Sequence, residues 1–152
     1  MKYNFNYEKK RTNRYSNKHQ LKRMAEDLSS QQYQALLEFT EAYLANEPEL
    51  SNHLQEKVES GYVKINNYLL QDILRGNYDL VEASVERQVQ GNFDVRVLLR
   101  SKKSSVNMIL GAHTLERAEQ NLCLVLSLSN GQIVTAWNDD VGATHKKTAQ
   151  YV

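Results

Sequence analysis

The feature that most constrains this chain is a change of hydrophobic period at Gly76. Before it, apolar residues recur every three to four positions; after it they alternate, and the two periods call for helices and strands respectively. The alternating regime is clearest over residues 121–140, NLCLVLSLSNGQIVTAWNDD. Leu122, Leu124 and Leu126 alternate with Cys123, Val125 and Ser127, Asn130-Gly131 is a tight-turn signal, and residues 132–137 are rich in β-branched and aromatic side chains. This predicts strand, turn, strand. Residues 77–83, 94–101 and 105–110 are further expected strands, with Lys102-Lys103-Ser104 as a basic turn between the last two. Residues 113–120 fit either a helical turn or a loop.

The amino-terminal half reads as helices. Ser16 or Asn17 can cap a helix from Lys18 whose apolar positions are Leu21, Met24, Ala25 and Leu28, with His19, Lys22, Arg23 and Glu26 on its other side. Ser29-Ser30 can cap a second helix over 31–45. Glu47-Pro48 would open a third, with Leu50, Leu54 and Val58 as its stripe and Gly61 as its stop, and a fourth would cover 66–74. The expected architecture is α+β: amino-terminal helices packed on a twisted antiparallel sheet of four to five strands formed by the carboxyl-terminal half. With 152 residues and no linker or repeat, 1–152 is expected to be a single domain. It comprises a basic and aromatic arm (1–17), a mainly helical region (18–76) and a mainly β region (77–152).

Nineteen Lys and Arg against eighteen Asp and Glu give a net charge of +1, so no global field draws the chain to nucleic acid or anionic lipid. Local clustering is another matter. Lys2, Lys9, Lys10, Arg11, Arg14, Lys18 and Lys22 face a single acid, Glu8, and Tyr3, Phe5, Tyr7 and Tyr15 interleave with them. Such a segment suits phosphate contacts and base stacking, or else a strand-like arm. The one cysteine, Cys123, excludes an internal disulfide and lies in an apolar run, where it is expected to be buried. No membrane span or signal-peptide core is present in the sequence, and a cytoplasmic location without a membrane partner is expected. Glycine-rich phosphate loops, GxSxG, HExxH and paired CxxC are all missing. Asp139, Asp140 and His145 have ligand chemistry, but adjacent aspartates at a strand end point apart, and neither metal nor cofactor is expected.

A metal-free constellation remains. Cleaving RNA without a metal requires a base for the 2′-hydroxyl, an acid for the leaving 5′-oxygen, and donors that stabilise the pentavalent phosphoryl group. Histidine suits both proton roles near neutral pH. The chain offers His19 beside Lys22 and Arg23, Arg96 and Arg100 on one strand face, Thr135 on the last strand, and His145 with Lys146 and Lys147 beyond it.

The basic strand VLLRSK, followed by CLVLSLSNGQIVTAWND and a histidine seven residues past Asn138, resembles the nuclease domains of the barnase, EndoU, colicin and RelE superfamily. It is similar in particular to the carboxyl-terminal toxin domains of contact-dependent inhibition proteins and of phage-associated polymorphic toxins. The resemblance implies helices on a four-stranded antiparallel sheet and metal-independent endoribonuclease activity on tRNA or mRNA. Carried onto this chain, it implies His19, Arg96, Arg100, Thr135, Asn138 and His145 as catalytic residues. Lys18, Lys22, Arg23, Lys102, Lys103, Lys146 and Lys147 are the basic residues expected to bind RNA. The 29–76 block is longer than in minimal RelE-type toxins.

The sequence thus points to a toxin or phage-encoded endoribonuclease that leaves a 2′,3′-cyclic phosphate. An acidic antitoxin or immunity protein would be its expected partner. The competing expectation is a non-catalytic regulator of phage or mobile-element origin that binds nucleic acid or a host protein through the amino-terminal arm. Trp137 is expected in the core, sharing a face with Ile133 and Thr135, and His53 and His113 are expected to be structural.

Overall fold

A computed structural model of the chain describes residues 19–89 and 91–142, the side chains of residues 19–21 excepted. Three helices pack on one face of a five-stranded antiparallel sheet whose strand order follows the sequence, β1-β2-β3-β4-β5. The strands are β1 (His19–Met24), β2 (Tyr78–Arg87), β3 (Phe93–Leu110), β4 (Leu115–Ser127) and β5 (Ile133–Asp140). The helices are α1 (Ser30–Ala45), α2 (Asn52–Glu59) and α3 (Asn67–Leu74). The α+β architecture is the one the period change predicts. Among the described residues no helix is long and apolar enough to cross a membrane.

Each helix starts where a side chain can take an orphan backbone donor. Ser29 accepts from the Gln32 amide while Gln32 returns a bond to Ser29, a complete capping box. Ser51 caps α2 through the Leu54 amide and Asn66 caps α3 through that of Leu69. The helices then bury Thr40, Leu44, Leu54, Leu69 and Ile73 against Val97, Leu99, Leu122, Leu124 and Leu126 of the central strands.

The expected helix from Lys18 is instead strand β1. Leu21 pairs with Val85, Lys22 with Ser84 and Arg23 with Ala83, so the backbone of residues 19–24 satisfies the open edge of β2. Backbone pairing along a strand outweighs the short helical stripe of Leu21, Met24, Ala25 and Leu28. One 3₁₀ turn at Ala25–Asp27 follows, and the chain enters α1. The third helix also starts later than Pro48 suggests. Glu49 and Ser51 bond to Ile133 on β5, its N–H donating to the Glu49 carbonyl at 2.9 Å and its C=O accepting from the Ser51 N–H at 2.8 Å. This contact holds residues 49–51 extended.

Besides a register shift between His19 and Leu21 on β1, three irregularities shape the sheet. Lys102-Lys103-Ser104 is not a turn, since β3 runs on to Leu110 and absorbs the extra residues as a bulge between Arg100 and Ser104. Asn121 donates to the carbonyls of Ser101 and Lys103, both at 3.1 Å, and Ser101 Oγ donates to the Lys103 carbonyl and accepts from the Leu122 amide. These bonds replace the ladder that the bulge interrupts. Residues 115–120, ambiguous in sequence, extend β4 beside the far half of β3. A second irregularity, between Leu80 and Glu82, turns Ser84 and Glu86 away from the helices. The third, where β5 meets Val125 and Leu126, puts Ile133 in the core and Thr135 on the opposite face, correcting their expected shared face. Trp137, opposite Cys123, lies with Thr135 and is only half-buried. Gly131 fits the hairpin turn in two ways: its φ is +70°, and a Cβ would lie 2.8 Å from the Tyr43 ring.

Tyr78 closes one end of the core with its hydroxyl buried and unbonded. Burial, followed by the nearby Glu41 and Tyr33, pushes its pKa from 10.0 up to about 12. The folded state therefore prefers the neutral phenol. That contribution to stability is complete below pH 10 and is lost as the pH rises toward 12. Tyr78→Phe is expected to fold normally, to gain roughly 1 kcal/mol in urea unfolding at neutral pH, and to lose less stability than the wild type between pH 10 and 12.

Candidate functional site

The pleat of β3 sends Val97 and Leu99 toward the helices, and Arg96, Leu98 and Arg100 to the other face. That second face holds a buried polar network. Arg96 Nε donates to Asp94 Oδ2 at 2.8 Å and Nη1 donates to Glu86 Oε2 at 3.1 Å. Ser127 Oγ donates to Asp94 Oδ1 at 2.8 Å. Asp94 is 1% exposed and Glu86 8%, so the guanidinium is what makes the burial of two carboxylates tolerable. Arg96 is thus a structural keystone of the sheet.

Arg100, four residues along, donates to two neutral acceptors. Its Nε donates to Asn121 Oδ1 at 3.1 Å and its Nη2 to the Asp140 carbonyl at 2.8 Å, which fastens the end of β5 to the bulge in β3. The remaining expected residues are dispersed. Thr135 is exposed on β5. Asn138 is on the helix-facing side, where its amide donates to the Lys64 carbonyl at 3.2 Å. Three positions apart on one strand, Thr135 and Asn138 necessarily leave opposite faces. His19 belongs to β1, with its side chain outside the described residues, and Lys18, His145, Lys146 and Lys147 lie outside them entirely.

The basic residues expected to bind RNA meet carboxylates. Lys22 lies 3.3 Å from Glu82, Lys102 3.8 Å from Asp79 and Lys103 3.6 Å from Asp72, while Arg23 donates to the Lys22 carbonyl. Such partly exposed pairs stabilise the fold little, but they cancel local field. The charge distribution of the whole chain is equally telling. Residues 19–142 carry eleven Lys and Arg against seventeen Asp and Glu, a formal charge of −6, leaving +7 to the two terminal segments.

One cavity does gather candidate residues. At the β5 edge a space of about 400 Å³ is lined by the α2 cap Ser51, by His53 and Lys57 of α2, by Val63, and by Arg96, Thr135 and Ala136 from the sheet. The backbone bonds between residues 49–51 and Ile133 set α2 beside β5 and so form this wall. His53 and Lys57 stand four positions apart, on one helix face. The cavity brings together two expected residues, Arg96 and Thr135, with His53 and Lys57, which sequence reasoning passed over. The i, i+4 spacing was visible; the chain partner of that helix face was not.

Cys123 is fully buried, and desolvation, opposed by Arg100 and reinforced by Asp139, raises its thiol from 9.0 to about 11. It is a packing residue, as its apolar neighbours suggest. Comparison with protein-family models, curated proteins and solved structures finds no match to this chain.

Two measurements check these assignments. Arg96→Met, which leaves Asp94 and Glu86 buried without the guanidinium, is expected to destabilise the fold by about 3–5 kcal/mol in urea unfolding, against under about 1 kcal/mol for Lys102→Met. Cys123 is expected to resist a thiol reagent at pH 8 in the native chain and to react at once in denaturant.

Proposed function

We propose that the chain is a metal-independent endoribonuclease, of toxin or phage type and acting in the cytoplasm, whose phosphodiester site is the cavity at the β5 edge. The observation that supports this is the meeting of His53, Lys57, Arg96 and Thr135 around one space large enough for a nucleotide phosphate and its ribose. In this reading His53 performs one proton transfer and Lys57 faces the phosphoryl oxygens. Thr135 orients the phosphate by hydrogen bonding, and Arg96, already shared with two carboxylates, contributes a remaining donor edge. Attack of the 2′-oxygen on phosphorus forms the cyclic phosphate as the 5′-oxygen departs, one proton leaving the former and one reaching the latter. The second proton-transfer group is proposed from sequence as His145 or His19. Arg100 and Asn138, engaged elsewhere in the fold, take no part.

A second reading rests on the charge distribution. Residues 19–142, at −6, repel a polyanion, whereas residues 1–18 carry six Lys and Arg against one Glu with four aromatic residues between them. A non-catalytic nucleic-acid-binding regulator would use that segment alone. An acidic neutralising protein, if the chain is a toxin, would engage the same basic termini.

Incubating the full chain with RNA in excess chelator separates the readings. Cleavage yielding 2′,3′-cyclic phosphate ends, reduced at least about 100-fold by His53→Ala with the fold intact, is the result expected of the nuclease. Salt-sensitive binding without cleavage, lost on removing residues 1–18, favours the regulator. Cleavage that occurs only when magnesium is restored would overturn the proposed mechanism.

A further inference from the structure

The long hairpin of β3 and β4 outruns its neighbours. β2 ends its pairing with β3 at Tyr78 opposite Ser101, and β5 ends its pairing with β4 at Asp140 opposite Gln120. Beyond these points the two strands continue as a ribbon, from Val106 opposite Glu119 to Leu110 opposite Leu115. Alternation places Val106, Met108 and Leu110 of β3 on one face with Leu115, Arg117 and Glu119 of β4. The apolar members of this face are exposed: Val106 55%, Met108 59%, Leu110 82% and Leu115 67%. Four large apolar residues in a row on a projecting ribbon mark an interaction surface.

We propose that this face pairs with the same face of a second copy of the chain, forming a symmetric dimer. The argument is the self-complementarity of its charges. In the ribbon register Val106 is opposite Glu119, Asn107 opposite Ala118 and Met108 opposite Arg117. A two-fold axis across the ribbon at the Asn107–Ala118 pair, with the two faces stacked, reverses the strand direction in the partner. It sets Arg117 over the partner's Glu119 and Glu119 over the partner's Arg117. The same operation sets Val106 over the partner's Met108, twice, and brings Leu110 over the partner's Ser104. One rotation therefore satisfies both charges and covers Val106 and Met108, while Leu115 comes over the partner's Asn121; such self-complementarity is the defining property of an isologous contact. Glu119 is held for this role, since its Oε2 accepts from Ser104 Oγ at 2.6 Å. Nucleic acid is a poor occupant because Arg117 and Glu119 cancel and leave this face no net positive charge, and the same balance gives an anionic lipid surface nothing to attract it. A ribbon this short buries an area at the low end of specific interfaces, so the dimer dissociates on dilution.

Sedimentation of the full chain across micromolar to submillimolar concentrations tests the proposal, with circular dichroism and thermal melting as controls for fold. The wild type is expected to pass from monomer to dimer. Arg117→Glu and Glu119→Arg, each placing like charges together at both symmetric contacts, are expected to weaken association at least about tenfold. The double exchange R117E/E119R restores opposite pairing and is expected to return association to within about threefold of wild type, the cost of a displaced exposed ion pair. Met108→Lys is expected to abolish the dimer without rescue. A chain monomeric throughout overturns the proposal, as does a dimer indifferent to these changes or a double variant no better than either single one.

Discussion

Two hydrogen bonds between residues 49–51 and Ile133 tie the helical layer to the last strand. They occupy part of the β5 edge, set where α2 can begin, and fix Leu54 into the core one turn later. The arrangement is economical because it satisfies backbone groups that an edge strand would otherwise leave open and orients a helix at the same time. The β5-edge cavity follows from it. His53 and Lys57 approach Thr135 because Ser51 is both the cap of α2 and the partner of Ile133.

The two faces of the sheet use different physics. The helix-facing side is held by burial of branched apolar residues. The other side is organised by polar pairing: Asp94, Glu86, Ser127 and Arg96 in one network, Asn121, Ser101 and Arg100 in another. In the second network Asn121 and Ser101 make good the bonds lost at the bulge, and Arg100 uses the result to reach β5. An arginine pattern that suggests a phosphate site in sequence is here substantially committed to carboxylates and carbonyls. That commitment shifts attention from the strand face to the edge, and from Arg100 to His53 and Lys57.

Much of the fold was legible where the pattern was local. The Ser29 cap of α1, the alternation 122–126 and the Asn130-Gly131 turn each specify a conformation through nearest neighbours, and each is realised. The errors fall where the deciding partner is distant in sequence. Residues 19–24 become a strand because β2, some sixty residues later, offers an open edge. Lys102-Lys103-Ser104 stays within β3 because Asn121 supplies the bonds that a bulge requires.

The candidate site divides in the same way. Side-chain chemistry and the alternation of Arg96 with Val97 were fixed by the residues themselves, because a pleated strand allows no other arrangement. Whether Arg96 is free or paired, which face Thr135 takes after an irregular step, and whether His53 meets anything were decided by tertiary structure. Each depends on register between segments, and register is set by the packing of the whole sheet, which a period read along one strand does not contain.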